Sequence, residues 1–275
     1  NSCWIVPYVG YCFLINKELF SIKNLISNLD KGSGYDMALC YNIRKSNIFI
    51  NILNTDIFGF YTDKVGIRQN NIKNISLNDY NSNKLLWEKK YLDSSFTTNI
   101  IMKEIGNNIS KVKIFTETFC EEIIKLTNDK GWSKGGESYF DKRLGGKESH
   151  PTQDIHLNEI QLQDMWKWVV DNYISKLVWN KYKYSTKNIN ISFVVKYDME
   201  GQKSLRNHHD SSTYTINICL NKDFEGGGCH FIKDDLKIIN RDIGTMILHP
   251  GKLTHYHSGL PITSGKRFIL VSFIN

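Results

Sequence analysis

A chain of 275 residues with 41% hydrophobic and 12% aromatic residues can bury a substantial core, and its 23% charged fraction is ordinary for a folded protein, so disorder is not expected. The net charge of +7 does not mark a nucleic-acid binder, because the lysines and arginines are scattered among acids and form no basic stripe. The most apolar stretch, Ile5 to Ile15, is too short to cross a bilayer and contains Pro7 and Gly10, so no membrane span is expected.

Residues 1 to about 105 are expected to form short strands and turns. Ser46 to Leu53 alternates as a strand does, while Gln69 to Asn74 and Ser76 to Asn83 are polar enough for solvated loops. No residue in this part carries evident chemistry, and residues 1–110 are set apart from the part that follows. The chain opens on Asn1 and not on Met, as expected of a piece of a longer protein. Its wealth of Lys, Asn and Ile matches an AT-rich genome, such as large DNA viruses and some protists carry, so a virus-encoded origin is one expectation.

From Phe115 the pattern turns helical. Thr116 and Glu117 form a polar start with an early acid suited to the helix dipole, apolar residues recur at helical spacing to Leu126, and Gly131 ends the segment. A glycine-rich loop spans Gly135 to Gly146. A second helix from about Glu159 to Leu177 gathers Leu162, Met165, Trp166 and Val169 on one face, which is predicted to buttress a sheet.

From Ile189 onward, strands alternate with turns at short intervals. Predicted strands run over 189–197, 209–220, 229–232, 245–248, 254–257 and 267–273, a pattern that suits a double-stranded β-helix, or jelly roll. The fold class is therefore α+β, with residues 111–275 as one domain whose jelly-roll core covers about 186–275. The six cysteines, Cys3, Cys12, Cys40, Cys120, Cys219 and Cys229, show no zinc-site spacing and do not demand an oxidising compartment. Cys229 reads as a small buried hydrophobe.

The chemistry concentrates in Leu205-Arg206-Asn207-His208-His209-Asp210. On a strand, side chains two apart share a face, so His208 is in step with Asp210 and His209 is not. One more imidazole from a distant strand would complete the two-His-one-carboxylate set of non-haem Fe(II) oxygenases. His255 and His257 are both candidates, since they are in step with each other and periodicity does not separate them. Gly265 breaks the chain before a final strand that begins at Arg267, whose guanidinium can clamp a carboxylate. His150, His156, His230 and His249 read as structural or surface residues.

Several long stretches carry a family resemblance: Phe193 to Tyr197, His208 to Asn217, Phe224 to Cys229, His249-Pro250-Gly251, Leu253 to His257 and Gly259-Leu260-Pro261. With weaker matches at Pro151 to His156 and Asp36 to Arg44, the chain resembles the catalytic region of the procollagen lysyl hydroxylases, which are Fe(II)- and 2-oxoglutarate-dependent dioxygenases. The resemblance implies His208, Asp210 and His257 as the iron ligands, and it alone chooses His257 over His255. It also implies that Arg267 takes the distal carboxylate of 2-oxoglutarate, and that residues 1–110 are an accessory, linking region. Tyr197 and Asn217, on strands flanking the metal pair, could donate hydrogen bonds to the 2-oxoglutarate, with Thr213 or Thr215 assisting. Ascorbate is the implied accessory cofactor.

The implied reaction hydroxylates C5 of lysine in collagen-like Gly-X-Lys sequences and releases succinate and carbon dioxide. Asp154, Asp198, Glu200, Asp234 and Asp235 are the acids that could meet a lysine ammonium. A homodimer and a place in the endoplasmic reticulum or secretory pathway are implied as well. Leu253, near the expected mouth of the site, reads as a buried loop residue more than as a dimer contact. Two alternatives are a prolyl or other peptidyl hydroxylase with the same metal residues, and a catalytically silent collagen-binding module.

Overall fold

In the computed structural model the described residues are 3–6, 35–45, 50–53, 75–98, 100–132, 140–141, 146–147 and 152–275. Gln69 to Asn74, His150, Cys12 and most of the expected glycine-rich loop lie outside them. The chain divides into a unit of Asn1–Asp63 and a larger unit of Lys64–Asn275.

In the first unit, β1 (Cys3–Val6) pairs antiparallel with β2 (Ile50–Leu53), so part of the strand expected at 46–53 is present. Between them in sequence stands helix α1 (Tyr35–Lys45), whose last turn holds Arg44 and Lys45, cations favoured at that end of the helix dipole.

The larger unit also starts with helices where short strands and turns are expected: α2 (Lys84–Tyr91) and α3 (Ser94–Thr98). The buried face of α2 is carried by Trp87 and Tyr91, four residues apart and fully buried, with Leu86 partly buried beside them and Leu85 exposed. Eight residues with an apolar side chain on the outer face give too short and mixed a periodic signal to read. The expected solvated loop before α2 instead holds a 3₁₀ turn, Leu77–Tyr80, with Leu77 buried and its carbonyl accepting from Trp87 Nε1 at 2.9 Å.

Strands β3 (Lys103–Gly106) and β4 (Ile109–Lys113) follow. The boundary expected at 110 thus falls inside a strand of the larger unit. Helix α4 (Glu117–Lys130) matches expectation at both ends, with Thr116 as the N-cap and Gly131 as the C-cap at φ 85°. The short pair β5 (Phe140–Asp141) and β6 (Gly146–Lys147) lies in the glycine-rich region.

After β7 (Asp154–His156), the second helix runs as α5 (Gln163–Val169), a π-helical turn (Val170–Ile174) and α6 (Ser175–Tyr182). Leu162, Met165, Trp166 and Val169 are all fully buried, as the helical stripe predicts. Trp166 Nε1 also donates to Ser272 Oγ at 3.0 Å, tying the helix to the sheet beneath it.

The remaining strands are β8 (Ile189–Asp198), β9 (Leu205–His208), β10 (Tyr214–Cys219), β11 (Phe224–Gly226), β12 (Cys229–Phe231), β13 (Leu236–Ile238), β14 (Thr245–Pro250), β15 (His257–Gly259) and β16 (Ile262–Ile274). They form two antiparallel sheets. The larger runs β3-β4-β14-β10-β16-β8-β7, with β11 added on β16, and the smaller runs β13-β12-β15-β9. From β8 onward the chain passes back and forth between the sheets, which makes the expected α+β double-stranded β-helix.

Alternation assigns the two faces of the larger sheet. Val194, Ile216, Leu248 and Leu270 share a core with the helices, whereas Val195, Tyr197, Ile269 and Val271 form a second cluster on the opposite, inward face. At about 25 cal/mol per Å² of buried apolar area, the helix side supplies most of the driving force, leaving the inner face free to carry polar residues.

The expected strand 209–220 starts only at Tyr214, after bends at Ser211–Thr213, and 254–257 is a turn followed by the first residue of β15. The last strand begins at Ile262, with Gly265 inside it at φ 75°. A Cβ at Gly265 would lie 2.2 Å from Asp223 O, so glycine there lets β11 approach instead of ending the strand.

Candidate metal centre

His208 ends β9 and His257 begins β15, and the two are register partners across the smaller sheet with ring centroids 4.4 Å apart. Asp210 comes to them from the corner between β9 and β10. The parity that picks His208 over His209 holds, since His208 is partly buried, His209 exposed and Asp210 buried. The cause differs from expectation, because Asp210 lies past the end of the strand and is aimed by a hydrogen bond. Thr215 Oγ1 donates to Asp210 Oδ2 at 2.6 Å, and Ser212 Oγ lies 2.8 Å from Thr215 Oγ1.

His208 Nε2 lies 3.3 Å from Asp210 Oδ1 and His257 Nε2 lies 3.8 Å from Asp210 Oδ2. Among the described residues these three make the one group of ligand atoms with metal-site spacing, all within 4.8 Å of one another. The second ring nitrogens fix the tautomers. His208 Nδ1 lies 2.8 Å from Arg206 O and His257 Nδ1 lies 2.8 Å from His255 O. A carbonyl only accepts, so each Nδ1 carries a proton and each Nε2 points inward, where a bound cation would take the Nε2 lone pairs in place of the His208 hydrogen bond to Asp210. Two imidazole nitrogens and one carboxylate, each held from behind, fit a first-row divalent cation such as Fe(II).

The electrostatics agree. Burial alone would raise the Asp210 carboxyl, but the His208 hydrogen bond and the His257 charge hold it well below the usual range, so it stays ionised. Burial lowers the His257 imidazole more than Asp210 raises it. His208 is also penalised by burial, yet its hydrogen bond to Asp210 and the carboxylate charge outweigh that and raise it.

His255, the other candidate that periodicity leaves open, is turned away from this group. Its Nε2 lies 2.8 Å from Asn107 O and its Nδ1 2.7 Å from Thr254 Oγ1. His249, read from sequence as structural or surface, is buried in β14 opposite Thr215, with its ring 5.2 Å from that of His257. His230 pairs with Asp235 at 2.7 Å.

A cleft of about 470 Å³ between the sheets is lined by His208, Asp210 and His257 at one side and Arg267 at the other. Arg267 lies in the middle of β16 and not at its start, opposite Tyr197 of β8. It is only 5% exposed, and its guanidinium sits 5.3 Å from the Tyr197 ring and 5.9 Å from Phe224. Arg267 Nε has no hydrogen-bond partner. A buried cation with an open donor beside the cleft is fitted to an anionic guest.

Burial pushes the Tyr197 phenol up to about 12 despite the pull of Arg267, so its hydroxyl stays a neutral donor. Asn217, two residues beyond Thr215 on β10, also lines the cleft. Thr213 does not. Its N–H and Oγ1 both donate to Asn275 Oδ1, at 2.8 and 3.0 Å, because the Ser211–Thr213 corner turns it toward the chain end. Thr215 does line the cleft, with its hydroxyl on Asp210. Cys229 lines the cleft as well, half-buried, with its thiol pushed up by desolvation. Leu253 is not a buried loop residue: it is 89% exposed at φ 66°.

No helix among the described residues is long and apolar enough to cross a membrane. No protein-family model matches the chain. It is 43% identical, over its whole length, to the procollagen lysyl hydroxylase and glycosyltransferase of Acanthamoeba polyphaga mimivirus, covering 32% of that protein. It is 35% identical, over 99% of its length, to procollagen-lysine,2-oxoglutarate 5-dioxygenase 1 of Gallus gallus, covering 38% of that protein. The chain thus spans 32% to 38% of the length of these relatives. Among solved structures, a viral collagen prolyl hydroxylase from Paramecium bursaria Chlorella virus-1 matches with a TM-score of 0.46 at 17% identity, over 62% of this chain and 96% of that one. That likeness is too slight to add to the sheet order described above.

Proposed function

The chain belongs to the procollagen lysyl hydroxylase family, and from that premise we propose that it hydroxylates C5 of lysine in collagen-like Gly-X-Lys sequences, using Fe(II) and 2-oxoglutarate. The observation that carries this is the convergence of two Nε2 lone pairs and the Asp210 carboxylate in a cleft that also holds the buried, open-donor guanidinium of Arg267.

In this reading His208, Asp210 and His257 hold Fe(II). Bound there, the metal supplies activation of dioxygen coupled to oxidative decarboxylation of 2-oxoglutarate to succinate and carbon dioxide. The chain's own residues do the positioning. Arg267 receives the distal carboxylate of 2-oxoglutarate, while Tyr197 and Asn217 offer hydrogen bonds along its length. Gly227 keeps the space beside Arg267 open, since a Cβ there would lie 3.0 Å from Arg267 Cδ. Thr215 orients the carboxylate ligand, and the carbonyls of Arg206 and His255 keep the ring protons on Nδ1. The apolar wall of Val195, Ile269 and Val271 excludes water from the reacting groups.

Ascorbate as the reductant that keeps the metal ferrous, and a secretory location where collagen chains are modified, belong to the same proposal. So does a homodimer, for which the exposed Leu253 is the residue a second copy would cover. The test is to incubate the protein with Fe(II), 2-oxoglutarate, ascorbate and a Gly-X-Lys peptide that also contains proline. The proposal expects one oxygen gained on lysine for each succinate formed. Oxygen on proline with lysine untouched would make the protein a prolyl hydroxylase, and no turnover of any peptide would leave a binding module.

A further inference from the structure

The substrate side chain of the proposed reaction carries a positive charge into a cleft that already contains Arg267. An ammonium brought out of water needs a carboxylate to meet it, and the need grows as the surroundings dry. Among the described residues two carboxylates line the cleft, Asp210 and Asp154. The first is committed to the metal group. We infer that Asp154 is the residue that receives the lysine ammonium and so selects lysine as the substrate, an inference that rests on the function proposed above.

The other acids weighed from sequence are placed elsewhere. Asp198 pairs with Lys196 at 2.9 Å and accepts from the Gly201 N–H. Asp235 is held by His230, and Glu200 and Asp234 are exposed and do not line the cleft. Asp154, by contrast, is 3% exposed on the inward face of β7, the edge strand of the larger sheet. Thr152 Oγ1 donates to Asp154 Oδ2, and His156 Nε2 stands 4.0 Å from Asp154 Oδ1, so the carboxylate is aimed by its own strand. Thr152 and His156 line the cleft with it.

Register gives Asp154 its relation to Arg267. Asp154 faces Val195, and Val195 faces Ile269, so the three side chains form one row across β7, β8 and β16. Arg267 and Tyr197 form the next row. Rows on one face are about 7 Å apart along the strands, and β7 lies two strand spacings, about 10 Å, from β16. The wall therefore presents a cation for the dicarboxylate at one corner and an anion for the amine at the other. Because the ammonium nitrogen of lysine is two bonds from C5, a carboxylate that fixes the nitrogen also limits which carbon reaches the metal group. Asp154 thereby contributes to the choice of C5 as well as the choice of lysine.

The experiment titrates the Fe(II)- and 2-oxoglutarate-loaded protein, without dioxygen, with two peptides that differ only in lysine against norleucine, which keeps the carbon chain and lacks the amine. The wild type is expected to bind the lysine peptide at least about tenfold more tightly, and Asp154→Asn to bring the ratio within about twofold of one. Because the ratio is taken within each protein, a partial loss of folded material cancels. Asp198→Asn, outside the cleft, is expected to keep the wild-type ratio. A wild-type ratio near one, or a wild-type ratio retained in Asp154→Asn, overturns the inference. Failure of the proposed function is seen separately: admitting dioxygen then places oxygen on a residue other than lysine although the lysine peptide still binds through Asp154.

Discussion

His208 and His257 face each other across β9 and β15 as direct register partners, so the smaller sheet delivers two of the three candidate ligands at a single cross-strand position. Opposed residues on antiparallel strands have Cβ atoms about 5 Å apart, close enough for both rings to reach one ion, and the pair needs no loop to bring it together. The carboxylate is the ligand that does need help, and Thr215 supplies it.

His257 and His255 should therefore behave differently. His257→Ala is expected to lower Fe(II) affinity by at least about a hundredfold, as the loss of one of three ligands implies. His255→Ala is expected instead to cost about 1–3 kcal/mol of stability through the lost hydrogen bond to Asn107 O, with one Fe(II) still bound per chain. Metal titration beside urea unfolding distinguishes the two, and equal loss of iron in both would refute the assignment.

Thr215→Val keeps the shape of the side chain and removes the donor to Asp210 Oδ2. Loss of a group that orients a ligand weakens metal binding by about 10- to 100-fold. The dissociation constant for Fe(II), or for a redox-inert surrogate such as Zn(II), is the quantity to measure, and Thr213→Val, which touches Asn275 and not the cleft, serves as the comparison.

Arg267→Ala should leave iron binding largely intact while raising the requirement for 2-oxoglutarate by at least about tenfold, since a buried bidentate partner is lost. Arg267→Lys should recover only part of it, because an ammonium offers no planar fork. Titration of 2-oxoglutarate at saturating Fe(II) reads both effects.

Burial, reinforced by the neighbouring His257, pushes the His249 imidazole down to about 3 from its ordinary 6.5. Between those values the unfolded chain binds a proton that the native protein does not, so this residue makes stability fall as the pH falls through that window. The slope is up to about 1.4 kcal/mol per pH unit. Urea midpoints of the metal-free protein between pH 7 and about pH 4 should fall less steeply for His249→Gln than for the wild type.

The core strands and the α4 and α5 helices are legible in the sequence because each presents a long, regular burial pattern. The α2 helix is not, since it is eight residues long and its exposed Leu85 blurs the periodicity of the buried Trp87 and Tyr91. His208 and Asp210 can be read from spacing, but the corner at Ser211–Thr213 turns Thr213 to Asn275 and leaves Thr215 in the cleft, and spacing alone does not reveal where a strand turns. Spacing does not separate His257 from His255 either, because what turns His255 away is a hydrogen bond to Asn107, 148 residues away in the chain. Asp154 is in the same position: five acids look alike in sequence, and only the strand register brings one of them into the cleft.

The most direct test of the metal centre is anomalous diffraction at the iron edge from crystals grown with Fe(II) and 2-oxoglutarate without dioxygen. One strong peak is predicted among His208 Nε2, His257 Nε2 and the Asp210 carboxylate, with 2-oxoglutarate reaching from it to Arg267. Iron bound at His249 or His255 instead, or no peak in this cleft while the protein remains folded, would contradict the account.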